Sequence, residues 1–205
     1  ATGPLFRYER PQKGRQRQFH QVNFELFGAA EPVADIEMIA LGDQFLKALG
    51  ITTGITLEIN SLGDKDTRQA HRKALVAYLQ DYKHDLSDDS KIRLEHNPLR
   101  ILDSKDKEDK RIVQSAPMMK DFYSTYARNF FASVCAGLDQ LKVVYKINER
   151  LVRGLDYYSH TAFEFTTDQL GAQNAVLAGG RYDDLVAQMG GPETPAVGFA
   201  GGIER

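Results

Sequence analysis

Four segments of the chain carry residue types that could do chemistry together. The run Phe6-Arg7-Tyr8-Glu9-Arg10-Pro11-Gln12-Lys13-Gly14-Arg15-Gln16-Arg17 sets five cations, Arg7, Arg10, Lys13, Arg15 and Arg17, within eleven residues against Glu9. Cations at that density suit a polyphosphate or an RNA backbone, whose oxygens accept charge-assisted hydrogen bonds. The plain alternative is a solvated basic loop. In the segment that follows, a two-residue period puts Phe19, Gln21, Asn23, Glu25 and Phe27 on one face and His20, Val22, Phe24 and Leu26 on the other. The second face is apolar enough to meet a core, and His20 reads there as a packed histidine. The first presents an aromatic plate, an amide and a carboxylate in a row. At ~3.3 Å per residue, Phe19 to Glu25 spans roughly 20 Å, about the length of an aminoacyl nucleotide. A base could stack at one end while a donor met the carboxylate at the other; an ordinary water-facing strand is the alternative.

The third segment is Leu151-Val152-Arg153-Gly154-Leu155-Asp156-Tyr157-Tyr158, where an arginine before a glycine brings a guanidinium and open backbone toward a ligand and paired tyrosines add hydroxyls on rigid rings. The fourth is glycine-rich, from Ala178-Gly179-Gly180-Arg181-Tyr182-Asp183 to Gly198-Phe199-Ala200-Gly201-Gly202-Ile203-Glu204-Arg205. It permits close backbone approach but matches neither the phosphate-loop nor the dinucleotide pattern. As single signals, both also read as a loop and turns.

These segments need elements to hold them. Residues 4–9 and 18–28 read as two strands of a hairpin. Apolar residues at mostly helical spacing from Glu31 to Leu49, stopped by Gly50, predict a helix. Ile55–Ile59 predicts a strand. Glycine is then all but missing from 64 to 136, and Asn97-Pro98 and Ala116-Pro117 break the helical pattern there. The charge-dense stretch 103–111 reads as solvated surface. Strands are predicted again at 143–147, 158–167, 174–178 and 196–201, with a short helix over 182–189. Along 161–166 the alternation predicts a half-buried strand. The expected class is α+β, an antiparallel sheet with a helical insertion, divided as 1–63, an insertion over 64–141, and 142–205.

Bulk properties narrow the function classes. A net charge of -2 and a pI near 6.2 argue against holding nucleic acid by overall charge, leaving a local patch. One cysteine, Cys135, excludes an internal disulfide, and His20, His71, His84, His96 and His160 lack metal-ligand spacing. No apolar run approaches the ~18 residues of a membrane span, and the N-terminal residues lack a signal-peptide core, so a soluble, cytoplasmic protein is expected.

Taken together and in order, the four segments resemble the histidyl-tRNA synthetase family across the whole chain. The first is similar to motif 2 of class II synthetases in its histidine-specific form. Leu-Val-Arg-Gly-Leu-Asp-Tyr-Tyr and Ala-Gly-Gly-Arg-Tyr-Asp resemble the two histidine-specific motifs, and Gly-Phe-Ala-Gly-Gly-Ile-Glu-Arg resembles motif 3. The resemblance implies a class II synthetase-type sheet flanked by helices. It also implies ATP-dependent activation of histidine to histidyl-adenylate and its transfer to tRNA(His). By it, Arg7 would hold the ATP α-phosphate, Arg15 and Arg205 the outer phosphates, and Phe19 the adenine. Gln21 would bind the amino-acid backbone, Glu25 and Tyr158 the imidazole, and Tyr157 would line the pocket. Arg153 would sit beside the carboxylate and α-phosphate, making Arg7 and Arg153 the catalytic pair. Mg2+ is expected with the nucleotide at no dedicated protein site, and a homodimer in the complete enzyme. No match to motif 1, to the loop that binds the substrate amino group or to the anticodon-binding domain occurs in these residues. The chain alone is accordingly expected to be nearly inactive and not to form that dimer. Departures within the motifs are small: Asp184 where glycine is common, Ser159-His160 after the tyrosines, and Gly201. Two other classes stay open, a non-catalytic relative that senses histidine and a fragment with binding activity alone. The clamp of Arg7, Arg15 and Arg205 argues against the first.

Overall fold

The alternation of residues 18–27 does form a strand, and its partner lies immediately upstream: β1 (Thr2–Phe6) pairs antiparallel with β2 (Gln18–Phe27). The computed structural model describes residues 1–8, 16–155, 157–170 and 174–205. Among them, β1 and β2 are joined in one sheet by β3 (Ile55–Ser61), β4 (Lys146–Ile147), β5 (Ser159–Thr167), β6 (Ala175–Arg181) and β7 (Ala196–Gly202). The spatial order is β1-β2-β7-β6-β5-β3-β4, antiparallel throughout except between β3 and β4. Strands distant in sequence thus become neighbours. The protein is α+β with a mostly antiparallel sheet, as the hairpin and helix patterns predict.

Helix α1 (Pro32–Ala48) begins on a proline whose fixed φ suits the first turn, and Gly50 at φ 76 carries the chain out of it. Met38, Ile39 and Leu46 of α1 face Phe130, Val134 and Leu138 of α5 (Thr125–Gln140). Both helices pack on Leu57, Ile59, Phe163, Phe165, Val197 and Phe199 of the sheet. A second core lies within α2 (Lys65–Asp81), α3 (Asp88–His96), α4 (Lys107–Val113) and their connections, built on Leu75, Leu79, Leu86, Leu94, Ile101 and Ile112. Helix α5, although inside the 64–141 range, contributes to the first core rather than the second.

Four local expectations differ from the structure. The stretch 103–111 is not all solvated surface, because Asp109 is fully buried and accepts from the Ser87 amide (2.9 Å) and the hydroxyls of Ser87 (2.7 Å), Ser90 (2.6 Å) and Ser104 (2.6 Å). Burial alone would raise its pKa; those donors outweigh it and hold the carboxyl low. Strand β5 is buried on both faces rather than half-buried, since the loop bearing Arg153 covers the side opposite α5. His20 is exposed, not packed, because the helix layer reaches Phe24 and Leu26 but not the outer end of β2. Strand β4 keeps only two residues, since Val143 turns inward to the core. Among the described residues, no helix is long and apolar enough to cross a membrane.

Candidate active site

Strand pairing lays two rows across the face of the sheet opposite α1. The first is Glu25, Gly198, Gly180 and Ala162; the second is Asn23, Ala200, Ala178 and Glu164. Small residues in the middle of both rows leave a trough between the tall side chains of β2 and those of Arg153, Tyr157 and Tyr158. The resulting cavity of about 630 Å³ lies within the range of small-molecule sites. Arg7, Phe19, Gln21, Glu25, Arg153, Tyr157, Tyr158 and Arg205 all line it. Arg15 lies outside the described residues.

At one end Glu25 accepts a hydrogen bond from the Tyr182 hydroxyl. The Tyr157 and Tyr158 rings are 4.5 Å apart, and Tyr182 stands 5.9 and 6.4 Å from them. Burial pushes the Tyr182 phenol up, and the Glu25 charge adds to it; burial followed by Tyr158 does the same to Tyr157. Both hydroxyls therefore keep their protons, and that of Tyr182 donates to Glu25. The Glu25 carboxyl is itself raised, by burial first, with the Tyr182 hydrogen bond opposing. It is an acceptor open to the trough, at which a further N–H from a ligand would be well placed.

Gly198 makes this arrangement possible. A Cβ there would lie 1.8 Å from Glu25 Oε2 and 2.6 Å from the Phe24 carbonyl oxygen, one of which is fixed backbone. Gly198→Ala should therefore drive the Glu25 side chain out of place and cost about 1–3 kcal/mol of stability, the scale of overpacking. A denaturation curve checks the loss of stability, and a midpoint equal to that of the parent protein would show that Glu25 and β2 give way around the added methyl group.

In the centre, Arg153 donates through Nη1 to Glu164, and its Cζ lies 5.3 Å from the Tyr158 ring centroid. Its Nε is buried, with no hydrogen-bond partner among the described residues. Burial raises the Glu164 carboxyl, with Arg153 opposing. At the far end the Arg7 guanidinium covers the Phe19 ring at 4.1 Å while its Nε donates to the Gln16 carbonyl at 2.7 Å. Glu204 accepts from the His20 amide at 2.8 Å and meets His20 Nδ1 at 2.9 Å, tying residues 203–205 to the start of β2. The hydrogen bonds from His20 hold the Glu204 carboxyl low.

A family model described as histidyl-tRNA synthetase matches residues 1–205. The chain belongs to the histidyl-tRNA synthetase family. It is 62% identical over 205 residues to the histidine–tRNA ligase of Ehrlichia canis and 60% identical to that of Wolbachia pipientis from Culex pipiens. In each case all of this chain aligns with 50% of the relative, so the chain spans about half the length of the curated relatives it matches. The crystal structure of apo S. aureus histidyl-tRNA synthetase superposes with a TM-score of 0.79 at 35% identity, covering 100% of this chain and 48% of that one. A Bacillus halodurans structure titled as an ATP phosphoribosyltransferase regulatory subunit/histidyl-tRNA synthetase has a TM-score of 0.64 at 22% identity, a likeness of fold alone.

Sequence reading overlooked three residues that line the trough or hold its side chains. Tyr182 stands within a noted motif, yet its link to Glu25 joins residues 157 positions apart. Glu164 offered a signal, a carboxylate among the apolar and small residues of a strand. Gly198 is meaningful only once β7 is known to lie beside β2.

Proposed function

We propose that the chain holds the site at which histidine is activated by ATP to histidyl-adenylate and passed to tRNA(His), within a cytoplasmic histidine–tRNA ligase that works as a homodimer. One observation carries this reading. The trough has Glu25 and three tyrosines at one end, Phe19 and Arg7 at the other, and Arg153 held at the row between them. A neutral imidazole offers one donor and one acceptor nitrogen. Glu25 accepts from the first, and the Tyr158 hydroxyl gives to the second. Gln21 then meets the amino-acid backbone, and the carboxylate extends toward Arg153.

Adenine takes a face of Phe19, which requires the Arg7 guanidinium either to leave the ring for the α-phosphate or to hold its opposite side. Arg15 and Arg205 take the outer phosphates. The histidine carboxylate attacks the α-phosphate in line, pyrophosphate leaves, and charge gathers on the phosphoryl oxygens. Arg7 and Arg153 stabilise that charge without any proton transfer from the protein. Among the described residues no group of three or more His, Cys, Asp or Glu is arranged to hold a metal ion. Mg2+ is therefore assigned to the phosphates of the incoming nucleotide, which supply the oxygen ligands it prefers. In the second step a ribose hydroxyl of the terminal adenosine attacks the carbonyl carbon of the adenylate, the acyl–phosphate bond breaks, AMP leaves and the hydroxyl proton is lost to solvent. The division into catalytic parts and a helical insertion is proposed with one shift: α5 goes with the catalytic core whose side chains it shares.

The reading is tested by exchange of labelled pyrophosphate into ATP, using a polypeptide that carries these residues at the full length of the family. Exchange should depend on histidine and vanish when histidine is omitted. Histidine binding with no exchange would favour a sensor instead.

A further inference from the structure

We infer that Glu164 is a positioning residue for the adenylation step, holding the Arg153 guanidinium by one edge so that its remaining donors face the reacting phosphate. The inference rests on the assignment of Arg153 above and adds to it a residue outside the four motif segments.

Arg153 lies on a segment that is neither helix nor strand, so its backbone alone does not fix where its charge sits. Two contacts do. The Tyr158 ring supports the guanidinium, and Glu164 accepts from Nη1. Glu164 is anchored far better than the arginine, near the middle of β5 with Ala178 on one side and Glu58 on the other. Its side chain is 22% exposed, and Glu58 and Asp103 repel its charge, while Arg153 is the chief group favouring it. Glu58 is already engaged by the Asn148 amide at 2.8 Å. A carboxylate in such a place adds little to stability, because taking the pair out of water offsets its attraction. Alanine, as at the neighbouring Ala178 and Ala200, would line the same trough without that cost.

The geometry gives the carboxylate a use. Guanidinium carries five N–H donors in a rigid fork, and fixing one edge fixes the direction of the others. Nη1 is taken by Glu164, and Arg153 lines the trough, so that anchored edge sets the direction in which the other guanidinium donors meet a bound ligand. Pairing with Glu164 dilutes the positive charge, which weakens electrostatic stabilisation. Loss of position is the larger effect, since a displacement of about 1 Å in an aligned site costs about 10²-fold in rate.

The test is a double-mutant cycle in the full-length polypeptide, with Glu164→Gln, Arg153→Ala and the pair, each assayed for pyrophosphate exchange and thermal melting. Glu164→Gln keeps the shape and loses the anchoring charge. It should lower kcat about 10²-fold with the KM for histidine and for ATP nearly unchanged. In the Arg153→Ala background the same change should add almost nothing, because the two act as one unit. A full kcat in Glu164→Gln, or a loss of equal size in both backgrounds, would overturn the inference and leave the reading of Arg153 standing. A full kcat in Arg153→Ala would remove that reading and this inference with it.

Discussion

Replacing Arg153 with alanine in the full-length polypeptide is expected to lower kcat for histidine activation by about 10²-fold or more, the usual scale for one preorganised donor at a developing charge. Arg153 lines the trough beside the tyrosine cluster, its guanidinium held by Glu164 and the Tyr158 ring. On the proposed reading the imidazole is held by Glu25 and the Tyr158 hydroxyl, not by Arg153, so most of the ground-state binding of histidine should survive. Charge on the phosphoryl oxygens grows only as the bond to pyrophosphate breaks, and there the missing guanidinium is felt. Steady-state kinetics of exchange separate the two effects. A raised KM for histidine with kcat unchanged would make Arg153 a ground-state binding group.

A second large effect concerns stability. Arg181 is fully buried and so is Asp35 of α1, its ion-pair partner. Arg181 Nε donates to Asp35 at 2.9 Å, and Nη1 donates to the Ala29 carbonyl and to Asp183, both at 2.9 Å. The arginine therefore stitches the end of β6 to the entry of α1. Arg181→Ala strands the Asp35 carboxylate in the core and leaves the Ala29 carbonyl and Asp183 without their donor. It should destabilise the protein by about 3–5 kcal/mol, the cost of breaking a buried pair by removing one partner. That is a large share of the roughly 5–15 kcal/mol typical of a domain. Urea denaturation of the 205-residue protein measures it directly. Adding Asp35→Ala should recover part of the loss, since the uncompensated charge goes with it. A midpoint within error of the parent protein would show that water reaches the pair and that Arg181 is not a structural anchor.

Arg181 also shows where sequence reading stops. It stands in a glycine-rich motif that reads as close approach to a ligand, yet its contacts are with the fold itself. Nothing in Ala-Gly-Gly-Arg-Tyr-Asp says that the guanidinium points to the α1 side of the sheet and the next residue, Tyr182, to the trough. Alternation along a strand gives two faces but not which one is wet. On β2 the two faces were legible because Phe24 and Leu26 are apolar and Gln21, Asn23 and Glu25 are not. The same face then brought Phe19, Gln21 and Glu25 to one cavity. On β5 both faces are covered, and the one carboxylate in it passed unremarked. His20 was misplaced for the converse reason, since an apolar-looking face extends past the helices that would cover it. Class and strand pattern follow from local periodicity. Strand order β2-β7-β6-β5 does not, and it is this order that puts Gly198 under Glu25 and Glu164 across from Asn23.

The central claim, that the carboxylate at the end of β2 reads the imidazole of histidine, is tested most directly by Glu25→Ala with histidine and ATP titrated separately. Loss of one charge-assisted hydrogen bond, worth ~1.5–3 kcal/mol, should raise the histidine KM at least ~10-fold. The KM for ATP should change little, because Phe19 and Arg7 lie at the other end of the strand. A histidine KM equal to that of the parent enzyme would make Glu25 a mere partner of Tyr182 and contradict the account; equal losses on both substrates would show damage to the hairpin instead of to the reading of histidine.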